Sequence, residues 1–169
     1  GMGYVGYSTF IIALLRQQGH GDHAASVFFG VLGAASMLAS GWWGGWLARQ
    51  KGGRGFAVVS VCVALGIVPV LCSASLPALA ASALLFGASF MAGPASVSVI
   101  AHRALPPTLL ATGAGALTAF FSVGQAAGPV LTGWIADASG SLTAALWSGP
   151  ALLLLGAVVA WRQREGRAR

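Results

Sequence analysis

Four sets of residues in this chain have types and spacings that chemistry could use. His20, Asp22 and His23 fall within four positions of one another, and a His-x-x-His pair can clip a cation. With three candidate donors and no fourth, the cluster reads as a solvated loop, and no metal is expected. Ser89, in Gly87-Ala88-Ser89, could act as a nucleophile with His102 as its base. Thirteen positions along one helix span about 20 Å, whereas such a pair must approach to about 3 Å, so no hydrolase is expected. Cys62 and Cys72, ten positions apart and so about 15 Å apart on a helix, are too distant for a disulfide and read as small polarisable packing residues. The fourth set is uncharged and polar: Tyr4 and Tyr7, Ser36 and Ser40, and Thr118, Ser122 and Gln125. Such groups bind by hydrogen bonding and transform nothing, and a buried amide like Gln125 needs a partner, from another helix or from a ligand.

The elements that carry these residues are set by hydropathy. Only 7% of the 169 residues are charged and 57% are apolar, against about 25% charged in an ordinary soluble domain. The mean hydropathy is +0.82. The charge-free runs Ala24–Ala48, Gly55–Ala101, Ala104–Ala136 and Ala138–Trp161 each reach the roughly 20 residues that cross a bilayer as a helix. Gly55–Ala101 splits at Ser73-Ala74-Ser75-Leu76-Pro77, a run of small polar residues and proline that marks a turn. Pro107 or Thr108 opens the next helix. The expected architecture is an all-α integral membrane bundle of six spans, near 1–16, 24–48, 56–72, 78–101, 108–135 and 142–161, forming a single membrane domain. The first span is too short to cross by itself, so upstream sequence is expected to be missing.

The net charge of +6 would suggest nucleic acid in a soluble protein, but here the bases fall in short gaps between apolar runs, and no nucleic-acid partner is expected. Eight of the nine bases (Arg49, Lys51, Arg54, Arg103, Arg162, Arg164, Arg167 and Arg169) fall on one side of the six-span arrangement, and only Arg16 on the other. Lys and Arg in short loops stay cytoplasmic, so the C-terminus is expected in the cytoplasm. Trp42, Trp43, Trp46, Trp134 and Trp161 lie near span ends, where amphipathic rings favour the interface. Two GxxxG elements, Gly41 to Gly45 and Gly124 to Gly128, allow close helix approach. Pro69, Pro94, Pro129 and Pro150 fall inside spans and remove backbone donors there. No Asp, Glu, Lys, Arg or His lies mid-span, although such residues mark proton and ion paths.

Three local patterns carry a family likeness. Gly45-Trp-Leu-Ala-Arg49-Gln-Lys-Gly52-Gly-Arg54 resembles the Gly-x-Leu-Ala-Asp-Arg-x-Gly-Arg-Arg cytoplasmic loop of major facilitator superfamily (MFS) transporters, with Arg49 where the family has Asp. Gly124-Gln125-Ala-Ala-Gly128-Pro129-Val-Leu-Thr-Gly133, followed by Asp137, resembles the family's Gly-x-x-x-Gly-Pro-x-x-x-Gly pattern. The opening, Gly1 to Phe10, resembles the seventh helix of bacterial members. The resemblance implies one half of a twelve-helix fold, built as a three-plus-three inverted repeat. The short basic tail and eroded loop point to the C-terminal half, whose partner would be the missing N-terminal six-helix half; an N-terminal half cut at its linker is the alternative.

The function this implies is secondary transport of a small organic solute by alternating access. The first, second, fourth and fifth spans would border the cavity, with Tyr4, Tyr7, Ser36, Ser40, Phe90, Thr118, Ser122 and Gln125 as cavity candidates. Gly45, Arg49 and Arg54 would form the cytoplasmic gate loop, and Gly124, Gly128 and Pro129 the packing seam of the fifth span. No cofactor is implied. A membrane scaffold or assembly subunit is the competing class, with its polar faces satisfied inside the bundle. A channel would show a charged ring or carbonyl filter, and neither is evident in the sequence.

Overall fold

The computed structural model describes residues 1–163, with helices joined by short turns and no strand among the described residues. Arg164, Arg167 and Arg169, three of the eight bases assigned to one side, lie outside the described residues. The helices are α1 (Met2–Gln17), α2 (Asp22–Leu47), α3 (Arg54–Cys72), α4 (Leu76–Phe90), α5 (Ala92–Ala104), α6 (Pro107–Ser139), α7 (Leu142–Leu146) and α8 (Ser148–Arg162). The chain is an all-helical multi-pass membrane protein.

Local chemistry sets the element ends. The Ser75 hydroxyl accepts the Ala78 amide and starts α4, and the Ser141 hydroxyl does the same for Ala144 at α7. Gly140, at φ 66°, closes α6 in the left-handed conformation that glycine adopts without strain. Two spans that read as continuous in the sequence are each divided, at Met91 and at Trp147. Both breaks fall three residues before a proline. Pro94 and Pro150 have no N–H for the carbonyls of Phe90 and Leu146, and the ring crowds the preceding turn. Taken across their breaks, Leu76–Ala104 and Leu142–Arg162 are long and apolar enough to cross a membrane, as are α2, α3 and α6. The 16-residue α1 reaches about 24 Å, short of the roughly 30 Å of hydrocarbon.

Contacts between connections sort the bundle into two ends. At one, Arg103 donates to the carbonyls of Gln50 and Ala48, the Gly53 amide meets the Gln163 carbonyl at 3.5 Å, and Arg54 lies 5.8 Å from the Trp161 ring centroid. At the other, Gln18 donates to the Val70 carbonyl at 2.9 Å, and the His20 ring meets the Ala74 carbonyl at 2.8 Å. There, too, Arg16 pairs with Asp22 at 2.9 Å across exposed surface, a contact worth little to stability.

The main helix seams run in the order α2, α4, α3, α8, α1, α6, and α5 touches both α6 and α2. The first crossing packs on the fifth and the fourth on the second, the pairing expected when the first three crossings exchange with the last three. Glycine makes several of these seams. A Cβ on Gly128 would strike the Met2 carbonyl, one on Gly6 would strike Thr132 Oγ1, and one on Gly87 would lie 2.5 Å from the Leu32 carbonyl. The two GxxxG elements therefore differ. Gly41 and Gly45 face open space, so α2 does not use its motif for approach among the described residues. Trp43 also departs from the interfacial reading: it is 7% exposed, and its indole N–H donates to the Ala88 carbonyl at 2.5 Å, whereas Trp42 is 64% exposed.

Candidate functional site

The α1–α6 seam sets the geometry of the site. With no side chain at Gly128, and with Gly124 carrying its open Cβ direction to 3.2 Å from the Met2 amide, the helices run close enough for side chains one turn away to meet across them. Gln125 Nε2 donates to Tyr4 Oη at 2.5 Å. A phenol that accepts in this way keeps its own O–H for another acceptor, and the Gln125 carbonyl oxygen remains an acceptor of its own. Both residues are half-buried.

Aromatic rings extend the site to α4. Tyr4 lies 6.0 Å from Phe121, stacked, and 6.2 Å from Phe90, tilted. Phe90 stacks on Phe86 at 5.3 Å, and Phe86 meets the edge of Tyr7 at 4.8 Å. These separations suit attractive ring packing. The run ends in the core, where Tyr7, 1% exposed, shares a 2.7 Å hydrogen bond with Ser82, which in turn donates to the Gly66 carbonyl at 2.6 Å. The Tyr7 phenol is thus engaged by packing, and the Tyr4–Gln125 end is the less buried one. Sequence reasoning did not single out Phe86, Phe121 or Ser82. A signal was present for two of them: Phe86 precedes Phe90, and Phe121 precedes Gln125, by four positions, one helical turn on the same face.

The remaining candidates scatter. The Ser36 hydroxyl donates to the Gly87 carbonyl at 2.6 Å, pinning α2 to α4. Ser40 and Thr118 are exposed and donate to carbonyls of their own helices, Met37 and Ala114. Ser122 is exposed on α6, one turn before Gln125. Ser36 and Ser40 are therefore not brought to the Tyr4–Gln125 pair, while Thr118, Ser122 and Gln125 form a polar line along α6. Pro129 has no N–H for the carbonyl of Gln125, just as Pro94 has none for Phe90, so both helices are weakened at the level of the site. Ser89 is buried and donates to the Leu85 carbonyl at 2.5 Å, and His102 is exposed on α5.

At the basic end, Gly45 and Arg49 are exposed and Gly45 has open space around it. Here Arg103, which the sequence reading counted only as a charge, reaches back to the carbonyls that close α2. A cation at a helix C-terminus is favoured by the helix dipole.

The family described as "Uncharacterised MFS-type transporter YbfB" matches residues 1–161. The chain belongs to this family. Among curated proteins this MFS-type chain is 29% identical over 149 residues to the "Putative tartrate transporter" of Agrobacterium vitis, a match that covers 88% of this chain. The chain spans 28% of the length of that relative. No solved structure matches it. Among the described residues, five helices long and apolar enough to cross, with the shorter α1 beside them, are consistent with half an MFS-type fold, and the family is one of MFS-type transporters.

Proposed function

We propose that this chain is the C-terminal six-helix half, helices seven to twelve, of a secondary transporter that carries a small organic solute by alternating access. Its setting is the bacterial cytoplasmic membrane with the basic end cytoplasmic, and its partner is an N-terminal six-helix half. The observation that carries the reading is the Tyr4–Gln125 pair: a donor and an acceptor at the junction of three crossings, framed by Phe90 and Phe121. A few placed polar groups in an apolar, aromatic setting are what a small-molecule site needs. Weakened helices on two sides of it suit rocking about a mid-membrane site.

The wall is neutral, which favours an uncharged or amphipathic solute. The relative's name gives tartrate, an organic dianion; were that the solute here, its charge would have to be met outside the crossings of this chain.

The test is cysteine accessibility in the intact protein, with Cys62 and Cys72 replaced by serine. Cysteines are placed singly at Thr118, Ser122 and Gln125, with Ser36 as a packed control. A membrane-impermeant thiol reagent is expected to label the three α6 positions, at rates that change by several-fold with added solute, and to spare Ser36. A scaffold would leave labelling insensitive to every solute offered, and that result rejects transport through this face.

A further inference from the structure

We propose that the α3–α8 seam holds one anionic phospholipid, an acyl chain in an apolar groove and its phosphate at the basic end of the bundle. An open groove of about 540 Å³ runs between Val58, Val61 and Cys62 of α3 and Leu154, Val158 and Trp161 of α8. Its floor is lowered by alanines, Ala57 and Ala157, both buried. That volume falls within the roughly 300–1,000 Å³ typical of ligand sites, and its walls are hydrocarbon, which suits an acyl chain and offers a polar solute nothing.

Charge identifies the headgroup. Trp161 forms one end of the groove, Arg54 lies over its ring at 5.8 Å, and Arg162 follows on α8, with Lys51 exposed in the preceding loop. The described carboxylates, Asp22 in the first turn of α2 and Asp137 in the last turn of α6, lie at the opposite end. The mouth therefore presents bases without a nearby described acid. Basic pockets between membrane helices are suited to anionic lipid headgroups. The site is separate from the Tyr4–Gln125 pair: α3 and α8 form it together, and neither contributes to that pair.

The experiment is lipid titration of the purified, delipidated intact protein by native mass spectrometry, with phosphatidylglycerol and phosphatidylcholine as probes. One phosphatidylglycerol is expected to bind at least fivefold more tightly than phosphatidylcholine. Arg54→Gln should reduce that preference to under twofold, and Val158→Trp, which fills the groove, should remove the tight site. Leu154→Phe serves the same purpose with a smaller addition if Val158→Trp does not fold as judged by circular dichroism. Equal affinity for the two lipids, or tight phosphatidylglycerol binding that survives both Arg54→Gln and the filled groove, overturns the proposal. Solute-dependent labelling at Ser122 is unaffected by either outcome, so the transport reading stands or falls separately.

Discussion

At the residue scale, the two tyrosines of α1 separate by a single turn into different roles. Tyr7 is sealed with Ser82 and Gly66, whereas Tyr4 meets Gln125 at the edge of the core. Hydrogen bonds between membrane helices are worth about 0.6 kcal/mol on average and up to about 1.7. A double-mutant cycle of Tyr4→Phe and Gln125→Leu, read by unfolding of the intact protein in detergent, is expected to give a coupling of that size. A coupling of zero would mean that the two side chains do not meet in the membrane. Because Gln125 and Tyr4 each keep hydrogen-bonding capacity beyond their mutual bond, Gln125→Ala should raise the transport KM roughly 5- to 30-fold, the equivalent of about 1–2 kcal/mol. Tyr7→Phe should leave KM unchanged while lowering stability by about 1 kcal/mol. Parallel effects of both substitutions on KM would contradict this division of roles.

At the element scale, the two GxxxG motifs provide a contrast within one molecule. Gly128 sits against the Met2 backbone, while Gly45 faces open space. Overpacking costs about 1–3 kcal/mol even when a core can adjust, and backbone on backbone adjusts poorly. Gly128→Leu is therefore expected to separate α1 from α6 and to abolish both the Tyr4–Gln125 bond and folded yield. Gly45→Leu should retain yield within about 20% of the original, judged by fluorescence-detected size exclusion. Equal yields for the two variants would remove the seam from the account. The divided helices give a further prediction. Pro94→Ala restores a donor for Phe90, so it should straighten α4 into α5 and slow alternating access, seen as a fall in kcat with KM little changed.

At the scale of the whole molecule, the basic residues gather at one end of the bundle, which the proposed orientation places in the cytoplasm. Arg49, Lys51, Arg54, Arg103 and Arg162 share one end, and Arg16, paired with Asp22, is at the other. Single cysteines at Lys51 and at Gly21 should be labelled by an impermeant reagent from opposite sides of the membrane in oriented vesicles, with Lys51 reached only from the cytoplasmic face. Labelling of both from the same face is incompatible with six crossings in this order. The Arg103 contact to the carbonyls of Gln50 and Ala48 ties the end of the fourth crossing to the loop between the second and third.

The hydropathy of the chain was sufficient to read the solvent, the helical class and the approximate place of each turn. Apolar runs of about 20 residues have one stable form in hydrocarbon, and Ser75, Pro107 and Gly140 punctuate them. It also showed that Gln125 needs a partner. Which partner, it did not show, because Tyr4 lies more than a hundred positions away and only the crossing of α1 on α6 brings them together. The same limit hid the burial of Trp43, the capture of the Ser36 hydroxyl by Gly87 and the idle GxxxG of α2. Periodicity says which residues share a helix face, but not which neighbour that face meets. The breaks at Met91 and Trp147 were legible only in part: a proline weakens the turn before it, and whether the helix bends there or divides depends on how tightly the surrounding helices hold it. The tertiary structure decided these points because backbone approach, at Gly128 and Gly87, is a property of two elements at once.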